Sequence, residues 1–373
     1  MEKRSQPIDV LRGIAIVSVI IWHAFAPHMM QWYPWSAKLF KLTWAGVDLF
    51  FVISGFLIGS ILLRYRTSSS YFLAFYGRRF FRIFPLYAVT LIIAYLYGGT
   101  KEPFWALATF TQNVLWAIEG RFGDAWTGVT WSLAVEEQFY LVVPLLILLI
   151  SPKQLPWVLI PLVIAAPLLR LAIWATGGGP FTSVYYAVYL MLPTRMDGLF
   201  LGVLLAWLLL EPRRSDWLMS HRVGVKSVSA ILLLGCAAMS IAEWSSASRG
   251  MILGGYTWIA LTAASVVLLA ATTKRQVSVL LTPLAAAGIG CFSLYLLHIP
   301  LGVILLYSID WAAFPLHPLP FFVARAISLV IAAYICWHLI EKPNIAIGHR
   351  LFPYRRLAPG SESRNAKQPA SAG

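Results

Sequence analysis

Two ionisable side chains interrupt the first apolar run of this chain, Arg12 and His23. On a helix that spacing is about three turns and roughly 16 Å of axial rise, so both project from nearly the same face at different depths. A histidine can take and return a proton near neutral pH. An arginine fork suits phosphate or carboxylate. The plain alternative is a snorkelling arginine and a histidine packed on a neighbour. A second cluster, Arg78-Arg79-Phe80-Phe81-Arg82, is expected in a loop and at the start of the third long helix. Arg79 and Arg82 are spaced to share a helix face and to grip an anion, or simply to set topology. A third element carries the adjacent carboxylates Glu136 and Glu137. Adjacent helical residues point about 100° apart. One glutamate is therefore expected to orient a histidine and the other to make a helix contact, with interhelical hydrogen-bond anchors as the bland alternative.

Other polar residues sit in apolar surroundings: Asp48, Ser54, Arg195, Asp197, Tyr295 and His298. Arg195 and Asp197 are expected to help neutralise each other. Counting helical rise places His23, Glu136, Glu137 and His298 at a common depth, roughly 20 Å from the cytoplasmic edge. They could converge laterally.

The elements that must position these residues are membrane helices. The chain is 59% hydrophobic and only 12% charged, where a soluble domain carries about 25% charged residues. Apolar runs long enough to cross a bilayer are expected near 8–29, 44–63, 80–98, 130–150, 156–175, 186–210, 226–243, 251–272, 284–307 and 320–340. The first run is read as a retained helix rather than a cleavable leader, because Arg12 and His23 have no use in a leader. Segment 104–118 is too short to cross and carries Thr109, Thr111, Gln112 and Asn113. It reads as a re-entrant or interfacial piece. The fold class is thus an all-α polytopic bundle of about ten transmembrane helices.

The net charge of +14 would suggest nucleic acid on a soluble protein. Here the basic residues fall in short loops, and no nucleic-acid partner is expected. Alternate loops hold most of the lysines and arginines, while Lys38, Lys41, Lys101, Arg121 and Arg249 fall on the other side. That asymmetry places both termini in the cytoplasm. Cys236, Cys291 and Cys336 lack metal-ligand spacing and read as small packing residues; no metal is expected. Residues 1–356 form one transmembrane unit, and 357–373, rich in Ser, Ala, Gly and Pro, read as a disordered cytoplasmic tail.

Several stretches together resemble the membrane-bound acyltransferase-3 family. Ile8-Asp9-Val10-Leu11-Arg12-Gly13 followed by Trp22-His23 is similar to its opening, with an arginine and a histidine separated by ten residues. Gly46-Val47-Asp48-Leu49-Phe50-Phe51-Val52-Ile53-Ser54-Gly55-Phe56 resembles its second helix, and Arg79-Phe80-Phe81-Arg82 its paired arginines. Trp131-Ser132-Leu133-Ala134-Val135-Glu136-Glu137-Gln138-Phe139-Tyr140 resembles its central motif, with Ala134 where Ser is commoner. Tyr295-Leu296-Leu297-His298 and Glu341-Lys342-Pro343 resemble its last two helices. The resemblance covers about residues 8–343.

It implies an enzyme of the inner (cytoplasmic) membrane that moves an acyl group, usually acetyl, from cytoplasmic acyl-coenzyme A. The acceptor would be a hydroxyl of a surface polysaccharide, a lipid-linked glycan or a glycosylated metabolite. Arg12, Arg79 and Arg82 would then hold the coenzyme A phosphates, and His23 would act as general base or acyl carrier beside Glu136 or Glu137. Asp48, Ser54, Tyr295 and His298 would line the substrate path. Some relatives carry a fused extracytoplasmic hydrolase-like domain. No part of these 373 residues reads as one, so the chain is expected to act alone or with a separate extracytoplasmic partner. The residues alone leave a rival open, a transporter or flippase of an acyl donor, glycan or lipid using the same buried charges.

Overall fold

The computed structural model describes residues 5–177, 179, 182–273, 276–308 and 319–355; the expected tail at 357–373 lies outside them. Among the described residues, nine helical segments are long and apolar enough to cross a membrane, or ten if a sharply bent pair counts as one span. The chain is an all-α, multi-pass membrane bundle. Its long helices are α1 (Gln6–Ala24), α2 (Gly46–Arg64), α3 (Tyr71–Leu96), α4 (Trp131–Leu149), α5 (Leu155–Ala175), α6 (Leu192–Leu210), α7 (Arg222–Ile241), α8 (Tyr256–Ala271), α9 (Cys291–Ser308) and α10 (Leu319–Cys336).

Several expected spans differ in detail. Helix α3 begins about two turns before the expected 80, so Arg78 and Arg79 lie inside it with Arg82 rather than in the loop. The span expected at 186–210 is two helices, Ser183–Leu190 and α6, broken before Pro193, whose ring cannot continue a helix. The span expected at 284–307 is a helix over Thr282–Ile289 and α9, bent by 72° at Gly290. Segment 104–118 forms two short helices, Phe104–Ala108 and Gln112–Glu119. Its buried amide nitrogens find acceptors within the protein. Gln112 Nε2 donates to the Thr130 carbonyl at 3.1 Å, Asn113 Nδ2 to that of Leu190 at 3.0 Å, and Gln138 Nε2 to Asn113 Oδ1 at 2.8 Å. That is the condition for irregular backbone at depth.

The centre is built on close helix pairs. Helices α2 and α6 run against each other along their length. A Cβ on Gly55 would run into the Leu199 carbonyl, and one on Gly202 into the Val52 carbonyl. These glycines therefore permit backbone-to-backbone contact, the usual basis of helix association in lipid. Helix α1 packs on α2, on α9 and on the Thr282–Ile289 helix. The pairing expected between Arg195 and Asp197 is not made. Residues two apart on a helix face away from each other. Arg195 instead meets Asp48 of α2 at 2.7 Å, and Asp197 meets Arg170 of α5 at 3.0 Å.

At one end of the bundle the chain after α10 turns through a π-helical turn, Trp337–Glu341, into a helix over Lys342–Leu351. The following residues strap across the loop between α2 and α3. Ser68 and Ser70 hydroxyls donate to the carbonyls of Arg355 and Pro353 at 2.8 Å each, and Arg78 Nε to that of Phe352 at 2.8 Å. Tyr354 stacks on Tyr65 with 4.2 Å between ring centroids.

Candidate active site

A cavity of about 1150 Å³ opens at this strapped end and runs inward between α1, α2, α3, α4 and α9. Its wide end is basic: Arg12, Arg64, Arg78, Arg79 and Arg82 all line it. The paired arginines reach it because α3 starts early and turns one face inward. Arg12 is held there by Cys291 of α9, whose Sγ accepts from Arg12 Nη2 at 3.0 Å. Cys291 is buried and lines the cavity, so it does more than fill space. Beside it Glu341, carried by the π-helical turn, is buried and accepts hydrogen bonds from the backbone N–H and hydroxyl of Ser293. Such turns often mark functional positions.

Further in, the walls become hydroxyl- and carboxylate-lined. Tyr140 donates to Glu136 Oε2 at 2.9 Å and shares a 2.7 Å hydrogen bond with Ser54. Arg79 lies over the Tyr140 ring, 5.8 Å from its centroid. Glu136 thus belongs to the arginine cavity. Glu137, one residue on, is not among the lining residues. The expectation that a glutamate touches His23 is not met. Adjacent positions on α4 aim elsewhere, and the register between α4 and α1 leaves both short of that histidine.

Phe50, Ser132 and Tyr295 line the cavity as well. The Tyr295 hydroxyl sits 2.6 Å from Ser132 Oγ and 2.7 Å from the Val129 carbonyl. Behind Tyr295, 5.7 Å ring to ring, is His298. His298 Nε2 lies 3.1 Å from His23 Nδ1. The structure therefore joins two of the expected site residues, His23 and His298, directly. His298 is 1% exposed, whereas His23 presents an edge at the surface of the bundle. Arg325 of α10, which the sequence reading left aside, donates from Nη2 to the His298 carbonyl at 2.9 Å. Only its place in an apolar span could have flagged it.

Asp48 does not line the cavity. It is buried against Arg195, whose guanidinium lies among Phe51, Trp131, Tyr189 and Tyr256. Asp48 Oδ1 is taken by the helix-to-helix ion pair with Arg195, so the cavity-lining place expected of this residue is not observed.

A polytopic bundle with a basic cavity beside a histidine pair defines a membrane enzyme or carrier of an anionic donor. The comparisons decide between them at the level of family. The model of the acyltransferase domain matches residues 6–338, and the chain belongs to the membrane-bound acyltransferase-3 family. It is similar to O-acetyltransferase OatA of Staphylococcus aureus (strain NCTC 8325 / PS 47), with 25% identity over 96% of this chain and 60% of that protein. It is also similar to peptidoglycan O-acetyltransferase OatA of Listeria monocytogenes, with 29% identity over 79% of this chain and 49% of the relative. A third relative is the putative peptidoglycan O-acetyltransferase YrhL of Bacillus subtilis, with 27% identity over 93% of this chain and 56% of the relative. The chain thus spans less than two thirds of the length of these relatives. No solved structure matches it.

Proposed function

We propose that this chain is an O-acetyltransferase of the cytoplasmic membrane, passing an acetyl group from acetyl-coenzyme A to a hydroxyl of a cell-surface carbohydrate. The observation that carries the reading is a cavity lined by arginines and by Tyr295, with His298 next to Tyr295 and His23 bonded to His298. Arginine forks suit the donor's phosphates, and Arg12, Arg79 and Arg82 take that role. The open end then faces the cytoplasm, with both termini on that side. The pantetheine arm lies along the cavity with its thioester toward Tyr295. His23 removes the proton from the acceptor hydroxyl as general base. The hydroxyl oxygen forms a bond to the thioester carbonyl carbon, the carbon–sulfur bond breaks, and the leaving thiolate takes the proton back from His23. For the thioester to meet His23, Tyr295 leaves its hydrogen bonds to Ser132 and Val129 during turnover.

Relatives named as peptidoglycan O-acetyltransferases make a peptidoglycan sugar hydroxyl the first acceptor to try. Ser54 and Tyr295 border the donor's reactive end, and a separate extracytoplasmic partner can receive the product. The test is free-thiol release from acetyl-coenzyme A by the protein in lipid nanodiscs, with soluble peptidoglycan fragments as acceptor. Acceptor-dependent release that falls about 100-fold or more in His23→Ala is expected, the usual scale of a lost acid–base group. Undiminished release by His23→Ala would overturn the assignment.

A further inference from the structure

The hydrogen bonds around the two histidines fix where their protons are. His298 Nδ1 lies 2.6 Å from the Tyr295 carbonyl oxygen. A carbonyl only accepts, so that nitrogen carries a hydrogen, and in the neutral ring Nε2 is left as an acceptor. His23 Nδ1 faces the Val19 carbonyl at 3.0 Å and His298 Nε2 at 3.1 Å, both acceptors. It too must carry a hydrogen, shared between them. The relay then runs from His23 Nδ1–H to His298 Nε2, and from His298 Nδ1–H to the Tyr295 carbonyl. What remains is His23 Nε2, with its lone pair unprotonated on the accessible ring.

We infer that His298 is a positioning residue for His23: its Nε2 lone pair holds the His23 ring in the tautomer that leaves Nε2 basic and accepts from the imidazolium formed in the reaction. Burial supports the division of labour. The ring behind is sealed and the ring in front has an exposed edge. Such a second group, orienting a histidine through the nitrogen that does no chemistry, is a general arrangement, usually with a carboxylate in the place His298 holds here. A neutral acceptor has a reason in this site. Arg325 already places a cation behind the pair, bound to the His298 carbonyl at 2.9 Å. His298 is itself anchored at both its ring and its carbonyl, so it cannot turn to offer a proton instead. No charge is transferred beyond His23, and no bond other than the two hydrogen bonds is asked of His298.

This inference rests on His23 being the base, and the tests separate the two ideas. The first needs no turnover. Nitrogen-15 NMR of histidine-labelled protein in nanodiscs is expected to show both His23 and His298 as the Nδ1–H tautomer, assigned by loss of each signal in His23→Ala and His298→Gln. A His298 found protonated at Nε2 would overturn the relay. The second is kinetic, with acetyl-coenzyme A and peptidoglycan fragments as probes. His298→Leu is expected to lower kcat at least 10-fold with KM for the donor unchanged. His298→Gln, whose amide oxygen reaches the same position, is expected to recover most of that loss. Full activity in His298→Leu, or equal losses in both variants, would overturn the role. Activity surviving in His23→Ala would instead defeat the underlying reading while the NMR result still judged the relay.

Discussion

At the scale of single residues, the proposed mechanism separates charge recognition from proton chemistry. Arg79 and Arg82 face the cavity mouth without the buried ion pairs that occupy Arg195 and Arg170. A hydrogen bond to a charged group is worth about 1.5–3 kcal/mol. Arg79→Ala or Arg82→Ala is therefore expected to raise KM for acetyl-coenzyme A about 10- to 100-fold with a smaller change in kcat, read by thiol release. Arg82→Lys is expected to recover only part of this, because an ammonium cannot reproduce the planar fork. The identity of these residues was legible in the sequence, because ionisable groups in apolar runs stand out. Their partners were not. Helical rise put His23, His298 and the two glutamates at one depth, yet depth says nothing of rotation about each helix axis. His23 met His298, while Glu136 turned toward Tyr140 and the arginines.

At the scale of elements, stability and site geometry depend on how α2 sits against α6. Asp48 and Arg195 join the two helices in a pocket of aromatic rings. Breaking a buried pair from one side costs about 3–5 kcal/mol, since it strands the other charge. Asp48→Leu is expected to lower the Tm of the detergent-solubilised protein clearly, and Asp48→Leu with Arg195→Leu to restore much of it. A Tm lower still in the double variant would contradict the pairing. Gly202→Val should be more damaging, because the added side chain meets backbone. The loop before α4 gives a pH-dependent case. Glu102 is buried, which alone would raise its carboxyl, but hydrogen bonds from Arg121 at 2.6 and 2.9 Å and from Trp116 at 2.8 Å hold it below its usual value. A carboxyl so lowered adds stability that is complete above its ordinary value of 4.5 and fades as pH falls through the lower folded value. Hydrogen exchange in residues 97–127 should therefore quicken as the pH falls below 4.5, and Arg121→Gln should flatten that dependence. That 104–118 forms no membrane-crossing helix was readable from its length and its amides. The breaks at Pro193 and Gly290 were not, because hydrophobicity runs on unbroken through both.

At the scale of the whole molecule, the proposed orientation of the bundle rests on the asymmetry of basic residues. Among the described residues the arginine end carries the α2–α3 loop and the strap through Tyr354. A cysteine replacing Lys38 is expected to react with a membrane-impermeant maleimide added to intact cells, and one replacing Arg213 only after the membrane is opened. The reverse pattern would turn the cavity outward and remove its access to a cytoplasmic donor. Tyr295 then takes on a second meaning. A bilayer at work carries a voltage, and each elementary charge that leaks across 100 mV dissipates about 2.3 kcal/mol. An enzyme reaching through the membrane for a substrate on each side is close to being a pore. On the proposed donor path, the tyrosine hydroxyl, bonded at once to Ser132 and to the Val129 carbonyl, would serve as an electrical seal, letting chemistry meet across the bundle while the cell keeps its proton gradient.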